Sequence, residues 1–271
     1  MPSPPQSKQS GLNVIALISG GKDSLYSILH CIRNGHKVVA LANLHPPPLP
    51  TTTSSSSSSS TQPLKKEAET KTETENEPTG EDDIDSFMYQ TIGWNVIPLY
   101  EEALGIPLYR APIVGGAVDA GRIYGDALTS TSTSTSTEGE EKGKGGDEDE
   151  TESLIPLLRR VKAAHPEANA VCAGAILSTY QRTRIENVAG RLGLVPLAWL
   201  WMYPALPAPG ERSAGDEEAG LLSDMAAVGC SSRIVKVASG ALDEGFLWGD
   251  VAGSDGMVRR RIVKGVRRFA V

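Results

Sequence analysis

Residues 12–18 form a short apolar run, partly β-branched, that ends in Ser19-Gly20-Gly21. Such a run predicts a buried strand entering a tight turn. From Asp23 the period changes, because Leu25, Ile28, Leu29 and Ile32 recur at helical spacing and Gly35 follows as a C-terminal stop. A second apolar strand is predicted over 37–44. A strand, a helix and a strand joined by a crossover of this length require parallel pairing.

The alternation continues down the chain. Ile84, Phe87, Met88 and Thr91 suggest a short helix, and 96–105 suggests another. Strands are predicted over 107–113, 170–177, 195–200 and 233–238, with helices over 154–164, 179–192 and 217–228. The helix over 179–192 should bury Ile185, Val188, Ala189 and Leu192. This order predicts an α/β doubly wound fold around a mostly parallel sheet.

Composition interrupts that pattern twice. Residues 51–61 are Ser and Thr alone, and 64–85 hold nine acids against three lysines. Likewise, 129–137 alternate Ser and Thr, and 138–152 hold eight acids against two lysines. Such segments bury too little apolar surface to offset their ordering entropy, so insertions over 46–83 and 127–152 are predicted to be disordered, as is the N-terminus over 1–11. One domain over 12–257 then remains, followed by a basic tail over 258–271.

The chain has 271 residues and a net charge of -7. Each acidic tract contributes -6, and Arg259, Arg260, Arg261, Lys264, Arg267 and Arg268 give the tail +6, so the folded body is close to neutral. That argues against a general nucleic-acid binder, and the tail is read as a solvated or frayed end. The three cysteines have no C-x-x-C spacing and the four histidines no ligand spacing, which speaks against a disulfide framework or a zinc site. No apolar run suits a membrane span or a signal peptide, so a cytoplasmic protein is expected.

The chemistry is concentrated in Ser19, Gly20, Gly21, Lys22, Asp23 and Ser24, at the carboxyl end of the first strand. Open α/β sheets bind ligands there. The glycines admit a close approach, and backbone N–H groups at a helix start favour an anion. Lys22 is unfavourable to the helix dipole unless an anion occupies the site. A Walker A loop is excluded, since Ala16 stands where its first Gly belongs and Asp23 where Ser or Thr should follow Lys. The alternative is a plain strand–turn–helix with glycines for geometry. Farther along, Ser178 and Gln181 read as a capping box, and Arg182 and Glu186 as an i, i+4 pair. Tyr89, Gln90, Gln181 and Arg184 have no packing reason in the sequence.

The Ser-Gly-Gly-Lys-Asp-Ser loop resembles the pyrophosphate loop of the N-type ATP pyrophosphatases, the PP-loop superfamily. Two longer segments narrow the resemblance: 85–110, with Tyr89-Gln90-Thr91-Ile92-Gly93, and 174–201, with Ser178-Thr-Tyr-Gln-Arg-Thr-Arg184. Both are similar to the diphthine–ammonia ligase family. That resemblance implies an adenine nucleotide hydrolase-like fold and an ATP-dependent amide ligase. Diphthine on translation elongation factor 2 would be adenylated and then attacked by ammonia, giving diphthamide, AMP and pyrophosphate. It further implies Ser19 to Ser24 as the ATP site, Lys22 and Asp23 as catalytic groups, and Mg2+ beside ATP. Tyr89, Gln90, Ser178, Gln181, Arg182 and Arg184 become candidates for substrate binding.

Three features depart from the family. Trp94 stands where the family has His, 202–215 is long and Pro-rich, and no Gly-Glu-Gly-Gly-Glu segment follows the last predicted strand. The last departure suggests a chain shortened at its C-terminus. Two alternatives therefore stand beside the ligase. One is a shortened, non-catalytic nucleotide-binding relative; the other is a tRNA-modifying pyrophosphatase of the same fold.

Overall fold

The computed structural model describes residues 11–47, 88–90, 92–116, 149–203, 219–238 and 241–269. Five parallel strands form the sheet: β1 (Asn13–Leu17), β2 (Lys37–His45), β3 (Leu108–Pro112), β4 (Ala170–Cys172) and β5 (Val195–Leu197). They lie in the order β3-β2-β1-β4-β5, so the strand order reverses between β1 and β4. Ligands of doubly wound sheets bind at that reversal, outside the carboxyl ends of the strands. The observed fold is the predicted α/β class.

Helices α1 (Lys22–Arg33), α3 (Leu154–Ala164) and α4 (Thr179–Arg191) occupy the predicted places, and α2 (Leu99–Leu104) is a short helix before β3. One core cluster includes Ile15, Val39, Leu154, Leu158, Ile185 and Val188, uniting α3 and α4 with the sheet. A second includes Val14, Ala16, Ile28, Cys31, Val38 and Leu41, beneath α1. The two clusters alternate along β1, as expected of a strand covered on both faces.

Several expectations are corrected. On α1 the buried residues are Ser24, Tyr26, Ser27, Ile28 and Cys31, while Ile32 is exposed. Small side chains seat this helix: Ser27 Oγ donates to the carbonyl of Ala173 on the loop after β4 (3.4 Å). β4 is three residues long, because Gly174 already belongs to a loop pressed on α1. The helix expected over 96–105 is split, with a 3-10 turn at Trp94–Val96 and α2 starting after Pro98. Met88–Gln90 is not helical, and 84–87 and Thr91 lie outside the described residues. Helix α5 spans Gly220–Ala227.

The strand expected over 233–238 does not form. Arg233 makes one isolated antiparallel bridge to Asp250, and Ile234 exchanges backbone hydrogen bonds with Trp248 and Gly249. Its backbone hydrogen bonds are thus met by the turn at Trp248–Gly249, farther along the chain, rather than by the sheet. The basic tail, expected to be frayed, is helix α6 (Met257–Phe269). Arg259 is buried there and donates to the carbonyls of Val251 (3.3 Å) and Gly253 (2.7 Å).

The predicted insertions lie outside the described residues except at their edges, Pro46–Pro47 and 149–152. The second edge is ordered and largely buried: Asp149, Glu150 and Thr151 are 8%, 3% and 0% exposed. Local acidity hid this, because these residues end a low-complexity tract yet begin the packing of α3.

Candidate functional site

The loop Ser19–Ser24 leaves β1 at the strand-order reversal and opens α1. Gly20 has φ of 79°, a left-handed conformation that favours glycine. A Cβ there would lie 2.8 Å from Ile97 Cδ1, and one on Gly21 would lie 2.5 Å from Gln90 Oε1. Across the reversal, a Cβ on Gly174 would fall 2.7 Å from the backbone N of Ser24. The loop is therefore closely packed, against the ends of side chains at Gly20 and Gly21 and, through its own backbone, against Gly174.

Gly21 is the N-cap of α1, and its lack of a side chain leaves the helix start without a side-chain cap. Ser24 Oγ turns back to donate to the Gly21 carbonyl (2.9 Å) and accepts from the Ser19 N–H (3.3 Å). Tyr100 Oη donates to the Gly20 carbonyl (3.3 Å), and burial raises this phenol's pKa, so it stays protonated as a donor. Lys22 Nζ pairs with Asp23 at 2.8 Å, both side chains being about one-third exposed.

A cavity of about 190 Å³ opens beside the loop. Ser19, Gly21, Asp23 and Ser24 line it on one side, and Tyr89, Gln90 and Gln181 on the other. These seven residues, singled out in the sequence, are thus brought together. Gly20 and Lys22 belong to the loop but are not among the cavity's lining residues. Ser178, Arg182 and Arg184 are engaged elsewhere. Ser178 Oγ caps α4 by accepting from the Gln181 N–H (3.2 Å). Arg182 stacks over Trp201 (4.0 Å to the ring centre) and pairs with Glu186 (2.6 Å). Arg184 is wholly buried, donating to the Tyr180 carbonyl (3.2 Å) and stacking on the Tyr180 ring. Burial raises the Tyr180 phenol, the nearby Asp149 and Glu150 raise it further, and Arg184 opposes them.

Sequence reasoning missed Asn43. This residue lines the cavity at the end of β2, where its Nδ2 donates to the Ile18 carbonyl (2.9 Å) and its Oδ1 accepts from Arg110 Nε (3.0 Å). Arg110 also donates to the Trp94 carbonyl (3.0 Å) and lies 5.5 Å from the centre of the Trp94 ring, which stacks on His45. Trp94 thus braces an arginine that orients a cavity residue. A polar Asn within the apolar run Val38–Leu44 was the signal available in the sequence.

Among the described residues, no group of three His, Cys, Asp or Glu could hold a metal by itself. No described helix is long and apolar enough to cross a membrane.

A glycine loop at an uncapped helix start, at the reversal of a parallel sheet, defines an α/β protein with an anion-favouring loop, a fold consistent with the PP-loop ATP pyrophosphatases. Comparison with known proteins narrows the class. Residues 137–196 match the family described as diphthamide synthase N-terminal domain. The diphthine–ammonia ligase of Schizosaccharomyces pombe is 38% identical over 228 residues, covering 84% of this chain and 27% of that protein. Those of Bos taurus and Homo sapiens are 39% and 38% identical over 232 residues, covering 86% of this chain and 64% of each protein. The chain is similar to these diphthine–ammonia ligases over most of its own length, and it spans 27% to 64% of the length of these relatives.

Proposed function

We propose that the chain is an ATP-dependent amide ligase that converts diphthine on translation elongation factor 2 to diphthamide, with ammonia as the nitrogen donor. The observation that carries this reading is the uncapped start of α1, opening with Ser19–Ser24 onto a cavity, in a chain 38–39% identical to diphthine–ammonia ligases. A carboxylate resists attack by ammonia until one oxygen becomes a good leaving group. Attack of the diphthine carboxylate on the α-phosphorus of ATP forms the acyl–phosphate bond and breaks the bond to pyrophosphate. Ammonia then attacks the carbonyl carbon, AMP departs with the oxygen, and the nitrogen loses a proton.

Ser19, Gly20, Gly21, Lys22, Asp23 and Ser24 would hold the phosphates. Backbone N–H groups and the helix start favour their charge, and Lys22 would exchange Asp23 for phosphate as negative charge gathers on the leaving group. Asp23 itself would repel a polyphosphate unless a cation lay between them. That requirement fits Mg2+, which is commonly held by one or two carboxylates together with substrate phosphates. Asp23 is the residue that would hold the ion, whose chemistry is to neutralise phosphate charge. Tyr89, Gln90 and Gln181 face the loop across the cavity and would contact the acyl side of the substrate. The reading implies a cytoplasmic protein whose PP-loop domain runs through 12–257.

The test uses the purified chain with Mg-ATP, ammonium and elongation factor 2 bearing diphthine, quantifying AMP against ADP. AMP that depends on the diphthine-bearing factor is the expected result. ADP instead, or no turnover of nucleotide, would overturn the proposal.

A further inference from the structure

The buried acidic edge at Asp149–Glu152 lies beside the cavity wall, and its contacts give it a task. Asp149 accepts from the Thr151 N–H (2.9 Å) to start a 3-10 turn over Glu150–Ser153. The Glu150 N–H donates to the Gly116 carbonyl (2.8 Å), and Ser153 Oγ bonds both the N–H and the carbonyl of Val114. So fixed, Glu150 is 3% exposed and its Oε1 accepts from the N–H of Met88 (3.2 Å). Gln181 Nε2 donates to the carbonyl of the same residue (3.3 Å), and Tyr89 Oη reaches the Glu150 carbonyl (3.5 Å). Both backbone groups of Met88 are therefore held by side chains. Met88, Tyr89 and Gln90 form the cavity wall facing Ser19–Ser24, and Gln90 reaches Gly21.

We infer that Glu150 is a positioning residue for the ligand in this cavity: its carboxylate fixes Met88 and, through it, sets Tyr89 and Gln90 against the phosphate loop. A carboxylate accepting a backbone N–H is a strong tether for a segment outside helix and sheet. This inference rests on the reading of the cavity as the nucleotide and acyl site, but its geometric half stands apart from that reading.

The experiment compares Glu150→Ala, Glu150→Gln and Ser153→Ala in the full chain by two measurements. The first is amide hydrogen exchange over Met88–Gln90 without ligand. Loss of a hydrogen bond to a charged group should speed exchange at Met88 about tenfold in Glu150→Ala. Glu150→Gln keeps an acceptor oxygen and should stay close to wild type. Ser153→Ala removes a bond of the same turn that does not reach Met88, and it should speed exchange there clearly less than Glu150→Ala does. The second is calorimetric binding of a non-hydrolysable ATP analogue with Mg2+, expected to weaken about five- to tenfold in Glu150→Ala alone.

Unchanged exchange at Met88 in Glu150→Ala would overturn the inference. So would equal effects in Ser153→Ala, which would mark a merely structural turn, or failure of Glu150→Gln to restore the wild-type values. If the wild-type chain bound no nucleotide, the functional reading would fail while the exchange measurement still decided the positioning.

Discussion

Two strand-to-helix junctions flank the reversal of the sheet, and they are finished in opposite ways. After β4, Ser178 closes the start of α4 with its own hydroxyl, which accepts from the Gln181 N–H. After β1, Gly21 occupies the equivalent place and supplies no side chain, so α1 begins without a side-chain cap. An N-cap removes one of the unsatisfied N–H groups of a helix start and contributes about 1 kcal/mol. Forgoing it beside a cavity, in a loop where Gly20 has a left-handed φ and Gly21 lies against the end of the Gln90 side chain, leaves the first turn of α1 without a side-chain cap. On the proposed reading the difference separates two similar rims: α4 is closed by its own hydroxyl, and α1, with no side-chain cap, is the one that would bind.

The largest effect should come from forcing the two junctions apart. In Gly174→Ala the new methyl would sit 2.7 Å from the Ser24 N and 2.8 Å from the Asp23 carbonyl carbon, both backbone atoms that have little room to yield. Overpacking of this kind costs about 1–3 kcal/mol. The expected outcome is a lower urea midpoint together with loss of measurable nucleotide binding, because the first turn of α1 moves. Wild-type nucleotide affinity in this variant would show that the β4 junction does not shape the site.

Next in size is Lys22→Ala. Its ammonium is partly exposed and pairs with its neighbour Asp23, so the fold should tolerate its loss. AMP formation should fall by at least about tenfold, as for removal of a group that stabilises developing charge. Equal rates of AMP formation in Lys22→Ala and wild type would leave the open junction without its proposed electrostatic partner. Ser178→Ala addresses the closed junction: stability should drop by about 1 kcal/mol in urea, with nucleotide affinity within about twofold of wild type.

The open junction was legible in the sequence because glycines, a cation and a helix start coincide within six residues after an apolar strand. The closed one was legible as a capping box. Arg184 was not, since a cation in an amphipathic helix gives no sign that Tyr180 will stack on it in the core. Nor was Glu150, because burial of an acid at the end of an acidic run depends on Met88, which is distant in sequence. The strand expected over 233–238 failed for a similar reason, as its apolar alternation says nothing about which backbone will pair with it. The chemistry of the open loop reads directly from spacing; which side chains and backbones end up buried together does not.

A smaller effect separates the two helices themselves. On α1, His30 lies edge-on to Tyr26 (4.8 Å between ring centres) and Tyr203 (5.6 Å) and stacks with Trp199 (6.4 Å), while α4 has no histidine. Burial lowers the pKa of His30 below its ordinary 6.5, the nearby Arg33 lowers it further, and Asp224 partly opposes them. With the folded value depressed, the unfolded chain takes up this proton more readily, so the ratio of folded to unfolded chain must fall as acid is added. The contribution is complete above about pH 6.5 and drains away as the pH falls toward the folded value. Urea midpoints measured at pH 7, 6 and 5 should therefore decline, and His30→Phe, which keeps a ring in the stack but cannot be protonated, should flatten that decline. A parallel loss in wild type and variant would assign the acid sensitivity to other groups and leave α1 and α4 alike in this respect.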